Sequence, residues 1–175
     1  MSVRRRDVHY LEGDAIEPTN KAKVGVEDYA RLVAEAFSFK VGDDPADLVK
    51  YLGSRISYQD LEDWIDESGS IFVHATADFD ILLPRYTHPL RDRFTVAHEL
   101  GHYFLHSSQG STPIIAYRSG STRIEWEANW FAASLLMPKV EFTAALRNLR
   151  DVNQVARKFG VSSAAAEVRK NVLGI

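Results

Sequence analysis

Two histidines four residues apart, the first followed by a glutamate, are the residues of this sequence best suited to chemistry. They are His98, Glu99 and His102, in the stretch FTVAHELGHYFLH at residues 94–106. On a helix, residues i and i+4 lie on one face with Cβ atoms about 5–6 Å apart, so both imidazoles can bind one divalent ion. Zinc lowers the pKa of a bound water to about 7, and Glu99 is placed to accept that proton. The spacing predicts the metal and base of a hydrolytic zinc site.

A catalytic zinc site of this kind needs a third protein ligand and one open position. The next predicted helix, TRIEWEANWFAASLLMP, is apolar on almost every side and offers two carboxylates, Glu125 and Glu127. Residues two apart on a helix point about 200° apart, so both cannot face the metal. Glu125 shares its face with small residues that allow a close helix contact, whereas an exposed ion pair with Arg123 is sufficient to explain Glu127. We therefore predict that one zinc ion is held by His98, His102 and Glu125.

Other polar residues near these helices have weaker claims to a role. Asn129, one turn after Glu125, either orients a metal ligand or packs as an amide between helices. His106 is rotated by about 40° relative to His102, so it is predicted as a core or pocket-edge residue and not a fourth ligand. The remaining histidines are predicted to be structural or surface residues: His9, His74 and His88. His88 lies with Tyr86 just before the HELGH helix, and these two are candidates for touching a substrate.

The apolar pattern predicts the elements that must position these groups. Helices are predicted at about 26–38, from the Asp44 cap to Gly53, at 92–106, 123–137, 139–149, 152–159 and 162–171. Candidate strands at 55–58, 70–74 and 79–83 predict a small antiparallel sheet, with a further short strand possible at 114–117. Residues 79–83 are the candidate exposed edge for binding an extended peptide. The expected fold is an α+β zincin-like domain followed by a C-terminal helical, helix-turn-helix-like bundle.

Composition narrows the class of protein. The chain has 175 residues, 45% of them hydrophobic, which is typical of a domain with a buried core. It contains no cysteine, which excludes disulfides, thiolate metal sites and cysteine nucleophiles. No apolar run follows the basic residues 4–6, so neither a signal peptide nor a membrane span is expected. We expect a flexible arm at 1–25, a zincin-like domain at 26–138, and a helical segment at 139–175.

The C-terminal segment is basic, with seven Lys or Arg against three Asp or Glu in residues 139–175. Gly160 lies between two predicted helices, the arrangement of a helix-turn-helix. Residues 164–166 are alanines, which offer little for reading base edges, so DNA binding is the less favoured interpretation. A docking surface for a protein substrate, or closure of the core, is favoured.

Two motifs make the sequence resemble the ImmA/IrrE family of metallopeptidases. They are RFTVAHELGHYFLH at 93–106 and EWEANWFAASLLMP at 125–138, and the resemblance spans about residues 45–138 and more loosely the rest. It implies a zinc ion held by His98, His102 and Glu125, with Glu99 as the catalytic base. It further implies a cytoplasmic endopeptidase that cleaves a helix-turn-helix transcriptional repressor and so derepresses genes of a mobile element or a stress response.

Two other kinds of function fit the same residues. The first is a DNA-binding regulator whose zinc is structural. The second is an adaptor that binds a repressor through the metal fold without cutting it. Proteolysis that depends on Glu99 would distinguish the peptidase from both.

Overall fold

The structure is a computed structural model, and it describes residues 16–60, 70–117 and 122–175. His9 and most of the predicted N-terminal arm lie outside these residues. The described helices are α1 Lys23–Ala36, α2 Pro45–Tyr51, α3 Pro89–Gly101, α4 Arg123–Leu136, α5 Lys139–Leu149, α6 Val152–Phe159 and α7 Ser163–Leu173. The described strands are β1 Arg55–Gln59, β2 Ser70–Ala75, β3 Asp78–Pro84 and β4 Ile114–Tyr117. This arrangement confirms the α+β fold and the helical C-terminal bundle.

The strands form one sheet in the order β1-β3-β2-β4. β2 pairs antiparallel with β3, as expected, and also with β4. The prediction was wrong for β1, which runs parallel to β3. β2 runs opposite to both of these strands, so β1 and β3 share one direction.

The prediction that residues 79–83 form an exposed edge was also wrong. They lie in β3, which pairs with β1 on one side and β2 on the other. Alternation of side chains cannot reveal this, because it reports which face of a strand is buried and not which strands flank it. Of the four described strands, β1 and β4 lie at the ends of the sheet.

Helix α3 begins at a cap formed by residues that precede it. The His88 side chain accepts a hydrogen bond from the Leu90 N–H, and Pro89 occupies the first turn, where its missing N–H costs nothing. The helix therefore starts three residues before the predicted position. Its end differs too, because His102–His106 form a π-helical turn in which the Ser107 N–H donates to the carbonyl of His102 at 3.0 Å. π-helical turns are rare and frequent at functional sites.

Helices α3 and α4 approach closely, and this contact positions the two predicted motifs against each other. A Cβ atom placed on Gly101 would lie 3.1 Å from both the Cα and the carbonyl oxygen of Ala128. The side chain of Thr122 caps α4 by accepting from the Glu125 N–H, which fixes where this helix starts. On its other sides α3 contacts β3 and α2, while α4 contacts α1.

The core is built from apolar side chains of every layer. It includes Val26 of α1, Ile81 of β3, Leu100 of α3, Phe131 of α4 and Phe159 of α6, all fully buried. Among the helices described, none is both long enough and apolar enough to cross a bilayer.

Candidate metal centre

Three predicted side chains meet where the HELGH helix faces the first turn of α4. The ligand atoms of His98, His102 and Glu125 all lie within 4.8 Å of one another. The Nε2 atoms of the two histidines are 3.1 Å apart, and they lie 3.2 and 3.3 Å from the two carboxylate oxygens of Glu125. Ligands bound tetrahedrally to one zinc ion at about 2.0–2.1 Å are separated by about 3.3–3.4 Å. The three groups are therefore spaced to share one ion.

The electrostatics of this cluster suit a cation. Burial raises the pKa of Glu125, but the hydrogen bonds with His102 and His98 outweigh it and lower this pKa to about 2. Glu125 is therefore ionised at neutral pH. One ionised carboxylate and two imidazoles form a nitrogen and oxygen donor set of the kind that holds catalytic zinc.

Glu99 and Asn129 are the other predicted site residues. Glu99 is fully buried and adjoins His98 on α3. The Oδ1 atom of Asn129 lies 2.9 Å from Nδ1 of His98. Because an amide oxygen can only accept, Nδ1 of His98 carries the proton and Nε2 presents its lone pair to the cluster. The amide is thus in contact with a predicted ligand and not merely packed between helices.

A further buried side chain, His106, adjoins the predicted ligand His102, and another, Glu127, adjoins His106. The sequence interpretation missed the contact between His106 and Glu127. Nδ1 of His106 is 3.0 Å from Nδ1 of His102, and Nε2 of His106 is 3.1 Å from a carboxylate oxygen of Glu127. Burial lowers the pKa of His106 to about 4, so this imidazole is neutral at neutral pH. The prediction of a core histidine is confirmed.

The environment of Glu127 corrects the prediction of an exposed ion pair. The pair with Arg123 exists, at 3.0 Å, but the Glu127 side chain is fully buried. The segment before α1 covers it, and both the backbone N–H and the hydroxyl of Thr19 donate to it at 2.8 Å. Burial raises the pKa of Glu127, but the hydrogen bonds from Thr19, Arg123 and His106 outweigh burial and lower this pKa below its usual value. Two features of the sequence could have indicated this contact. His106 follows His102 at i+4 spacing, and Glu127 is a second carboxylate on α4 beside Glu125.

The remaining candidates lie apart from this cluster. His74 contacts the carboxylate of Asp80 in the sheet, at 3.1 Å, and therefore has the structural role predicted for it. His88 caps α3. Tyr86 is 93% exposed in the turn before α3. It is accessible to a partner, but no contact in the described residues gives it a role at the cluster.

Comparisons with known proteins identify the family of this chain. The family model Peptidase_M78, described as an IrrE N-terminal-like domain, matches residues 49–171. The chain is 24% identical over 117 residues to the Metallopeptidase ImmA of Bacillus subtilis (strain 168), covering 65% of this chain and 69% of that protein.

A solved structure shares the fold. It is a Mycobacterium tuberculosis transcriptional regulator, with a TM-score of 0.55 and 21% identity over 85% of this chain. The match covers 47% of the regulator, so this chain spans about half of that protein's length. Since the family model covers well over half of the sequence, including both helices of the cluster, the chain belongs to the M78 peptidase family of IrrE N-terminal-like domains.

Proposed function

We propose that this protein is a zinc-dependent endopeptidase with one zinc ion per chain. The observation that carries the proposal is the buried cluster of His98, His102 and Glu125, with Glu99 adjoining it in the same helix. Membership of a peptidase family supports the same reaction. A site that only stabilised the fold would have no need of a carboxylate base beside its ligands.

Each residue of the site has a role in this proposal. His98, His102 and Glu125 would hold the zinc, and Asn129 would keep His98 in the tautomer that presents Nε2. A zinc ion held there would supply Lewis acid chemistry, which polarises a scissile carbonyl and lowers the pKa of water. Glu99 accepts the proton of the attacking water and donates it to the leaving amine nitrogen as the peptide bond breaks.

We further propose that the substrate is a helix-turn-helix transcriptional repressor in the cytoplasm. The proposal rests on the family resemblance and on the similarity to a metallopeptidase named ImmA. In the part of the chain that is described, β4 pairs with β2 and forms one end of the sheet. Its free edge replaces residues 79–83 as the candidate surface for an extended substrate segment.

The described C-terminal helices support core closure more than DNA binding. Val155 and Phe159 of α6 and Ala166 of α7 are buried, and the basic side chain of Arg169 is buried against Glu27. The exposed positive charge is therefore smaller than the sequence count suggests. We propose no DNA contact, and salt-dependent DNA binding by the whole protein would contradict this view.

Proteolysis of a helix-turn-helix repressor encoded beside this gene tests the peptidase proposal. Wild type supplied with zinc is expected to cleave the repressor into defined fragments and to contain one zinc ion per chain by elemental analysis. The Glu99→Gln variant should keep its zinc and lose at least about 100-fold in rate, because only the base is removed. Glu125→Ala should lose both zinc and activity.

Three outcomes would count against the peptidase proposal. Absence of zinc in wild type would remove its basis, and equal zinc content in Glu125→Ala would contradict the assigned ligand. Tight binding of the repressor without cleavage would favour the adaptor. A general protein substrate such as casein, tested in parallel, shows whether an inactive result is specific to the chosen repressor.

A further inference from the structure

A row of buried polar side chains runs from the predicted ligand His102 to the segment before α1. His102 contacts His106, His106 contacts Glu127, and Glu127 is held by Thr19 and Arg123. The side chains of His106 and Glu127 are both fully buried. Neither is among the residues assigned above to zinc binding or to proton transfer.

The proposed zinc site fixes the position of each proton along this row. Nε2 of His102 faces His98 and Glu125, and it can bind a cation only through its lone pair. The proton of neutral His102 then lies on Nδ1, directed at Nδ1 of His106 at 3.0 Å. Nδ1 of His106 must accept, so its proton lies on Nε2 and is donated to Glu127 at 3.1 Å.

The row is anchored firmly at its far end. Glu127 accepts from the backbone N–H and hydroxyl of Thr19, both at 2.8 Å, and from Nε of Arg123 at 3.0 Å. It therefore keeps three donors besides His106, and its own position does not depend on that histidine. His106 is the last residue of the π-helical turn that begins at His102, and it contacts both His102 and Glu127.

We infer that His106 is a positioning residue for the metal site, held in one tautomer by Glu127, and that it sets zinc affinity by fixing the tautomer and ring orientation of His102. This inference rests on the proposed zinc site. Partners of this kind, hydrogen-bonded to a ligand histidine, change metal affinity by about 10–100-fold when removed. His106 thereby does for His102 what Asn129 does for His98.

Two substitutions at His106 separate the two hydrogen bonds of its ring. His106→Asn places an amide oxygen near the position of Nδ1, so it can still accept from His102, but it does not reach Glu127. His106→Gln carries its amide to the position of Nε2, so it can donate to Glu127, but it offers no acceptor to His102. The zinc Kd is measured for each by chelator competition at one fixed pH, with the cobalt absorption spectrum as a second readout of ligand geometry.

The expected result is an asymmetry between these variants. His106→Gln should weaken zinc binding by about 10–100-fold and alter the cobalt spectrum, whereas His106→Asn should stay within about threefold of wild type. If His106 had only a structural role, both variants should lose zinc affinity equally, because both remove the ring. Equal Kd values, or weaker binding by His106→Asn, would overturn the inference.

A second pair tests Glu127 and does not depend on how well the first pair folds. Glu127→Gln retains an oxygen that can accept from His106, while Glu127→Met has a similar size and retains none. Weaker zinc binding by the Met variant than by the Gln variant supports the row, and equal binding overturns the part played by Glu127. Urea unfolding of each zinc-free variant separates loss of affinity from loss of fold. Wild type that binds no zinc would instead refute the proposed function itself.

Discussion

The ionised carboxylate of Asp80 is stabilised by the donors around it. Asp80 of β3 accepts from Nε of Arg55 at 2.8 Å and lies 3.1 Å from Nε2 of His74. Burial raises the pKa of Asp80, but the hydrogen bonds and charges of Arg55 and His74 lower it below its usual 3.8. The group therefore links the stability of the sheet to pH, at a site separate from the metal cluster.

The sign of this linkage gives a prediction for Asp80→Asn. Because the folded-state pKa of Asp80 lies below 3.8, its carboxylate stabilises the fold above that pH, and the contribution is lost as pH falls through the lowered value. The variant should lose about 1 kcal/mol of unfolding free energy at neutral pH, as expected for a partly exposed ion pair. The deficit should shrink below pH 3.8. Urea unfolding of both proteins across this pH range measures it.

Asp47→Asn serves as the control, since Asp47 pairs with Lys50 at 3.1 Å but both side chains are 74% exposed. Its cost should be no more than about 0.5 kcal/mol at neutral pH. If Asp80→Asn lost the same free energy at every pH, the loss would come from packing and not from charge.

At the scale of elements, the contact between α3 and α4 brings the predicted ligands together. His98 and His102 belong to the HELGH helix and Glu125 to α4, so the cluster forms only if the two helices approach closely. Gly101 allows this approach, because its missing Cβ would lie 3.1 Å from backbone atoms of Ala128. Gly101 therefore matters because it permits a short distance between α3 and α4, and not because a turn requires glycine.

Gly101→Ala is predicted to weaken both the fold and zinc binding. Alanine gains about 1 kcal/mol of helix propensity over glycine, but crowding of a packed interface costs about 1–3 kcal/mol. We expect a net loss of about 1 kcal/mol in unfolding free energy, with weaker zinc binding because α4 carries Glu125. Gly25→Ala in α1 is the matched control, since its nearest neighbour is Lys21 Cβ at 3.8 Å. This control should leave zinc binding unchanged, and equal behaviour of both variants would contradict the role of the contact.

The limits of sequence interpretation also lie at this scale. The helix period together with capping and helix-breaking residues predicted α6 over 152–159 and the end of α4 near Pro138. Local residues determine such boundaries. The face of the helix singled out Glu125, which joins the cluster. Burial of Glu127 was missed because it depends on Thr19, 108 residues away in the chain. The parallel pairing of β1 and the π-helical turn likewise depend on tertiary partners that no local period reports.

At the scale of the whole molecule, hydrogen bonds of two arginines connect the C-terminal helices to α1, α3 and the end of α4. Arg93 of α3 donates to the carbonyl of Gly160, between α6 and α7, at 2.9 Å. Arg169 of α7 donates to the carbonyl of Met137 at 3.0 Å and to the carboxylate of Glu27 in α1 at 2.8 Å. Phe142 and Phe159 join the same apolar core as α3 and α4. These contacts indicate that the segment 139–175 folds together with the rest.

Arg169→Met tests this cooperation. The substitution keeps apolar volume but leaves the Met137 carbonyl and the Glu27 carboxylate without a buried donor, which should cost about 2–3 kcal/mol of unfolding free energy. The adjacent Lys170→Met is the control, because Lys170 reaches Glu167 only at 3.9 Å and both side chains are more than one third exposed. That control should change stability by less than about 0.5 kcal/mol.

Urea unfolding followed by circular dichroism and by tryptophan fluorescence should show one coincident transition for all three proteins. Two of the three tryptophans, Trp126 and Trp130, lie in α4, whereas α5, α6 and α7 carry none. A separate early transition seen by circular dichroism, or equal losses in the two variants, would mean that the C-terminal helices fold independently of α3 and α4.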